Sequence, residues 1–189
     1  MIQDTLRGQF LIAGKRLRDP NFYKTVVLMV EHGAEGAMGL VVNRPSSMTV
    51  AHALSEHFDL PETDDVVYLG GPVEPSALFI LHDGEFLDAG EPPVVPGLYV
   101  GSSESAFERV VRSATEEDSG THFRIYSGCA GWAPGQLENE LERGDWHVLP
   151  ACAELTLCSD PYETWDQLLQ KVHAAHRILP DAPPHPEWN

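Results

Sequence analysis

Hydrophobic residues along this chain come mostly in short runs separated by glycine, proline, asparagine and aspartate, the punctuation of strands and turns. Gly8–Gly14 (GQFLIAG) predicts a buried strand. Thr25–Glu31 (TVVLMVE) is β-branched and apolar nearly throughout, which predicts a strand covered on both faces. The loop Gly33-Ala34-Glu35-Gly36 joins it to another strand over Ala37–Asn43, a hairpin signature. Further strands are expected at Val66–Leu69, Ala77–Leu81, Leu98–Val100, His122–Tyr126, Trp146–Leu149 and Leu155–Cys158. Asp19-Pro20-Asn21 marks a turn, and the Pro- and Gly-rich stretch Asp88–Pro96 a loop.

Helical spacing is confined to four places. Thr49 caps a short helix with Val50, Ala53, Leu54 and His57/Phe58 on one face, ended by Pro61. A second helix begins near Ser102 to Ser105, where Ser105-Ala106-Phe107-Glu108 reads as a capping box and Phe107, Val110, Val111 and Ala114 supply the buried stripe. A third has Pro134 in its first turn, runs to about Arg143 and stops at Gly144. The last opens on Asp160-Pro161-Tyr162-Glu163 and buries Trp165, Leu168, Leu169 and Val172. Helices and strands mix without strict alternation. That favours an α+β fold with a mixed or antiparallel sheet flanked by helices. One domain is expected over residues 1–179, followed by a Pro-rich tail over 180–189.

Composition leaves that picture intact and narrows the function. A chain of 189 residues with 42% hydrophobic and 22% charged residues is long enough for one real core. Its 29 acids against 12 bases give a net charge of −17, which repels nucleic acid and anionic membranes. The bases are scattered; the nearest to a cluster are Lys15, Arg16 and Arg18, followed by Lys24. Cys129, Cys152 and Cys158 are odd in number and form no C-x-x-C pair, so a reducing, cytoplasmic setting is expected. No signal peptide is visible, and the longest apolar run, Val26–Val30, is far short of a membrane span.

Several strings then stand together in order: Asp19-Pro20-Asn21-Phe22, Lys24-Thr25-Val26-Val27, Glu31-His32, Gly39-Leu40-Val41-Val42-Asn43-Arg44-Pro45, Gly70-Gly71-Pro72-Val73, and Ala130-Gly131-Trp132 with Pro134-Gly135-Gln136-Leu137-Glu138. With these the chain resembles the bacterial YqgE/AlgH family from about Leu6 to about Trp165. The resemblance implies a compact α+β domain built on a branched β-sheet with helices around it. It implies no established enzymatic activity, and some members carry the label "transcriptional regulator". Two departures stand out: Cys129 where relatives often have an aromatic residue, and Ala133 where glycine or another small residue is usual.

Each candidate for chemistry has a plainer reading. Ser127–Trp132 is expected to join a strand to a helix. Cys129 would then be a thiol at a helix N-terminus, open to activation as a nucleophile, although a packing turn is the commoner use of such a string. Gln136, Glu138 and Glu140 share the following helix, and Glu138 and Glu142 lie one turn apart, as paired acids or a solvated face. His32, beside Glu31 at a strand end, suits a general base or a ligand, yet no histidine has a recognised metal spacing; His173 and His176 chelate weakly at best. Arg44 forks onto a carboxylate or phosphate, or holds an internal acid and pins the strand end. Gly33-x-x-Gly36-x-x-Gly39 and Gly70-Gly71-Pro72 lack the spacing of nucleotide-binding loops and read as turns.

The reading that follows is a binding or regulatory module with a protein or small-molecule partner. Its site is expected near the Trp132–Glu138 turn, with His32, Asn43, Arg44, Trp132, Gln136 and Glu138 as candidate binding residues. The rivals are a hydrolase or transferase using His32, Cys129 or Glu138, and a DNA-associated regulator as the family label suggests. No metal, cofactor, membrane or direct nucleic-acid partner is expected.

Overall fold

The structure of the chain is a computed structural model that describes residues 5–60, 64–85, 87, 92–115, 120–157 and 160–175. In chain order the elements are β1 (Gln9–Ala13), β2 (Val26–Gly33), β3 (Gly36–Val41), β4 (Pro45–Thr49), α1 (Val50–Ala53), β5 (Val66–Leu69), β6 (Val73–His82), β7 (Tyr99–Gly101), α2 (Glu104–Thr115), β8 (Phe123–Trp132), α3 (Gln136–Glu142), β9 (Trp146–Pro150), α4 (Ala153–Leu157) and α5 (Thr164–Ala175). The fold is α+β, with a mixed open sheet and five helices among the described residues.

The sheet follows the apolar runs. Val26 to Val30 are buried without a break, as a strand covered on both faces requires. Ala34-Glu35 turns β2 into β3 as the glycine loop predicts. Strand order is β4-β5-β8-β3-β2-β1-β9, with β6 paired to both β8 and β7. The pairing of β5 with β8 is parallel; the other named ladders are antiparallel.

The branch lies in β8. Its first half pairs with β6 and β5, its last residues with β3. The hand-off needs chains to cross almost in contact, and glycine supplies the room. A Cβ on Gly71 would lie 2.2 Å from the Cys129 carbonyl carbon, and one on Gly70 2.2 Å from the Gly128 carbonyl oxygen; Gly128 itself sits at φ +70°. The Gly70-Gly71 string is thus more than a turn: it is the crossing point of two half-sheets.

Two clusters of buried side chains flank this frame. The larger gathers β1, β2, β3, β9 and α5, with Trp165 donating its indole N–H to the Ala13 carbonyl at 2.8 Å. The smaller packs Phe107, Val110 and Val111 of α2 with Val50 and Leu54 against Val67, Ile80 and Ile125.

Several expectations are corrected. The strand expected over His122–Tyr126 runs on to Trp132, because β5 and β6 and then β3 offer partners for the segment expected to be a turn. Leu155–Cys158 was expected to be a strand, but its described part belongs to α4. There the Cys152 carbonyl accepts both the N–H and the hydroxyl of Thr156, and two leucines spaced by a threonine imitate strand alternation. The cap of α2 is Ser103, whose hydroxyl accepts the Ala106 N–H at 3.2 Å; Ser105 is already helical. Pro134 precedes α3, and Ala114 is half-buried. The edge strand β4 was not foreseen. Helix α1 ends at Ala53 with Leu54 as its cap, well ahead of the stop expected at Pro61. Pro61 itself, Cys158, His176, the tail 180–189 and part of the 88–96 loop lie outside the described residues.

Candidate functional site

The loop between β1 and β2 is shaped by its own polar residues. Asp19 accepts the Asn21 N–H at 2.8 Å, the Asx-type turn expected there. Asn43, just past β3, imitates a strand partner at the start of β2: its amide donates to the Lys24 carbonyl at 3.0 Å and accepts the Val26 N–H at 2.8 Å. Arg44 donates to the carbonyls of Asn21, of Pro20 at 3.2 Å and of Tyr23 at 3.1 Å. The expected carboxylate or phosphate at Arg44 is therefore replaced by main-chain oxygens, and the residue pins a loop. Burial lowers the Arg44 pKa from its ordinary value, partly offset by Asp19.

What the loop presents is Phe22. Its ring stacks on Trp132 at 6.1 Å and meets Trp146 edge-on at 5.5 Å, while the two indoles lie 6.0 Å apart. Glu140 closes this aromatic group. One of its oxygens accepts the indole N–H of Trp132 at 2.9 Å and that of Trp146 at 2.8 Å, and the other accepts the Gln136 amide at 3.0 Å. Gln136 in turn accepts the Ala133 N–H at 3.1 Å. Three strings distant in sequence thus converge on one cluster, whose polar atoms are satisfied internally. Phe22 and Trp146 were not singled out from the sequence; an aromatic residue in each of three loop-flanking strings was the available signal.

The second grouping is a pair. His32 Nε2 lies 2.9 Å from Glu138 Oε1, joining the end of β2 to the first turn of α3. His32 Nδ1 accepts the Leu6 N–H at 3.2 Å, so in the neutral ring the proton is on Nε2 and is donated to Glu138. The Glu138 carboxyl is held below its ordinary pKa, first by its own backbone N–H and then by the His32 hydrogen bond. Its side chain is 51% exposed, against 13% for His32.

The candidates therefore separate. His32, Glu138, Gln136 and Trp132 lie on or beside α3. Asn43 and Arg44 sit at the opposite end of the β2–β3 hairpin, roughly 20 Å from His32 by strand rise. The link between the two groups is Phe22. Cys129 is not at a helix N-terminus: it lies within β8, is 5% exposed, and its thiol pKa is raised by burial and then by Glu74, the reverse of activation. Among the described residues no group of three or more His, Cys, Asp or Glu side chains is placed to hold a metal ion. No helix of the described residues is long and apolar enough to cross a membrane.

A branched sheet glued at a glycine crossing, with loop, strand and helix strings meeting at an acid-capped aromatic cluster, defines a recognisable class of α+β domain. Residues 10–177 match the AlgH-like family, and the chain belongs to it. It is 33% identical over 183 residues to a UPF0301 protein of Chlorobaculum tepidum, covering 96% of this chain and 95% of that one. A UPF0301 protein of Myxococcus xanthus is 37% identical over 163 residues, covering 85% and 87% of the two chains. The solution structure of the AlgH protein from Pseudomonas aeruginosa superposes with a TM-score of 0.72 at 30% identity, over 98% of each chain. The crystal structure of a Corynebacterium diphtheriae protein shares the fold, with a TM-score of 0.69 at 22% identity over 90% and 94% of the two chains.

Proposed function

We propose that the chain is a binding or regulatory module that acts through a protein or small-molecule ligand and does not itself catalyse a reaction. The observation that carries this reading is the engagement of His32. One ring nitrogen accepts the Leu6 N–H and the other donates to Glu138, so neither offers a lone pair to a substrate. Glu138, with its depressed pKa, is a weak base. Arg44, Asn43, Gln136 and Glu140 are likewise engaged within the fold. Among these candidate residues, what remains for recognition is the solvent-facing side of the His32–Glu138 pair. The net charge of −17 favours a partner other than DNA.

The test is a thermal-shift screen against nucleotides, phosphorylated metabolites, amines and organic acids, followed by NMR of each hit over time. A ligand at a hundredfold excess over its Kd stabilises by about 2.7 kcal/mol. That is about 5–11 °C in Tm for a chain of this size. The expected result is a shift that Glu138→Gln removes, with the ligand chemically unchanged. Steady conversion of a hit to product, or salt-sensitive retention on duplex DNA, would overturn the reading.

A further inference from the structure

The β2 strand carries a bulge. Met29 pairs with Gly39 and Glu31 with Met38, leaving Val30 as the extra residue. A bulge re-aims the side chains around it. Here Val30 and Glu31 both line a cleft of about 360 Å³, while the next residue, His32, reaches α3 instead. The cleft opens where the branched sheet divides: β2 and β3 form one wall, β6, β7 and the start of α2 the other. Met38, Phe79 and Val100 give it an apolar lining, and Ser102 stands at its rim.

Glu31 is exposed at this rim, and among the described residues its carboxylate has no hydrogen bond or ion pair. The neighbouring cation, Arg7, is engaged by the carbonyls of Val30, Pro92 and Pro93. The lining is mixed, with Ser102 and Ser103 facing the apolar side chains, and a carboxylate beside such a partly apolar hollow selects a cation with a hydrophobic body; the chain's negative field adds to that preference. We propose that this cleft binds a small organic amine, its ammonium on Glu31 and its apolar body against Met38, Phe79 and Val100. The site is separate from the His32–Glu138 pair.

The experiment is an NMR titration of the full chain with 2-phenylethylamine, using 2-phenylethanol and 3-phenylpropionate as controls. Saturable shifts are expected at the amides of Glu31, Met38, Val100 and Gly101. The amine should bind about fivefold more tightly than the alcohol, in keeping with a partly exposed charge pair, and the carboxylate least. Glu31→Gln should bring the amine's affinity down to that of the alcohol. Ser102→Trp, a change at an exposed position, should block both while the rest of the spectrum is retained. Equal affinity for amine and alcohol, an unchanged Kd in Glu31→Gln, or shifts confined to another surface would each overturn the proposal.

Discussion

Glu140 makes a prediction that can be worked through. Replacing it with leucine keeps the side-chain size and removes the acceptor of two indole N–H groups, on Trp132 and Trp146, both of which are buried. A hydrogen bond to a charged acceptor contributes about 1.5–3 kcal/mol, and a buried donor left alone costs about 1–3 kcal/mol. Glu140 is half-buried, so water partly replaces it and the lower end applies. Two donors at about 1.5 kcal/mol each give a loss of about 3 kcal/mol. At about 2–4 °C per kcal/mol, Tm should fall by about 6–12 °C. Glu140→Gln keeps an acceptor oxygen for the indoles but opposes the Gln136 amide with a second NH2 group, so a loss of about 1 kcal/mol is expected. Calorimetry with tryptophan fluorescence measures both variants. A Glu140→Leu protein as stable as the Glu140→Gln protein would show that the aromatic cluster stands by packing alone.

Other expectations follow from the same contacts. Arg44→Met should destabilise by about 1–2 kcal/mol, because its carbonyl partners lie in an exposed loop and turn to water, and Arg44→Lys should restore less than half of that since an ammonium cannot fork. Faster hydrogen exchange at Phe22 and Thr25 is the readout, and unchanged exchange would mean the loop holds itself. With a thiol reagent on the native protein, exposed Cys152 should react well before buried Cys129, as peptide mapping would reveal; equal rates would contradict the raised thiol pKa. The depressed carboxyl of Glu138 contributes stability that is present above the ordinary glutamate range, near pH 4.3, and is lost as pH falls through its lower folded value. Glu138 is half exposed, so solvent screens the effect. The denaturation midpoint of Glu138→Gln should approach that of the parent between pH 5 and pH 3, and a gap that widens on acidification would reverse the sign.

Local pattern was enough for what depends on neighbours in sequence. The Thr25–Glu31 run specified a buried strand, the glycine loop at 33–36 a hairpin, and Thr49 the cap of α1, since turn chemistry and the burial of short apolar runs are decided within a few residues. The −17 charge likewise needed no structure. The family strings were legible as strings, but their roles were not. That Asn43 completes β2, that Arg44 holds carbonyls where an acid was expected, and that Phe22, Trp132 and Trp146 share one cluster under Glu140 are facts of long-range contact. Local spacing carries no such information.

The same reason explains the failures. Ser127–Trp132 looked like a turn because glycine is permissive, and only its partner strands, β5 and β6 at Ser127–Cys129 and β3 at Ala130–Trp132, make it a continuation of β8; paired to Val73 of β6, Cys129 moves from a reactive position to a buried one. His32 and Glu138 are 106 residues apart and meet only because α3 packs on β3, the hairpin partner of β2. Sequence alone determined most of the elements, with β4, α4 and the second half of β8 excepted, and the sign of the field. Tertiary structure decided which side chains are engaged internally and which face solvent, because a hydrogen bond or a buried ring is fixed by distance in space.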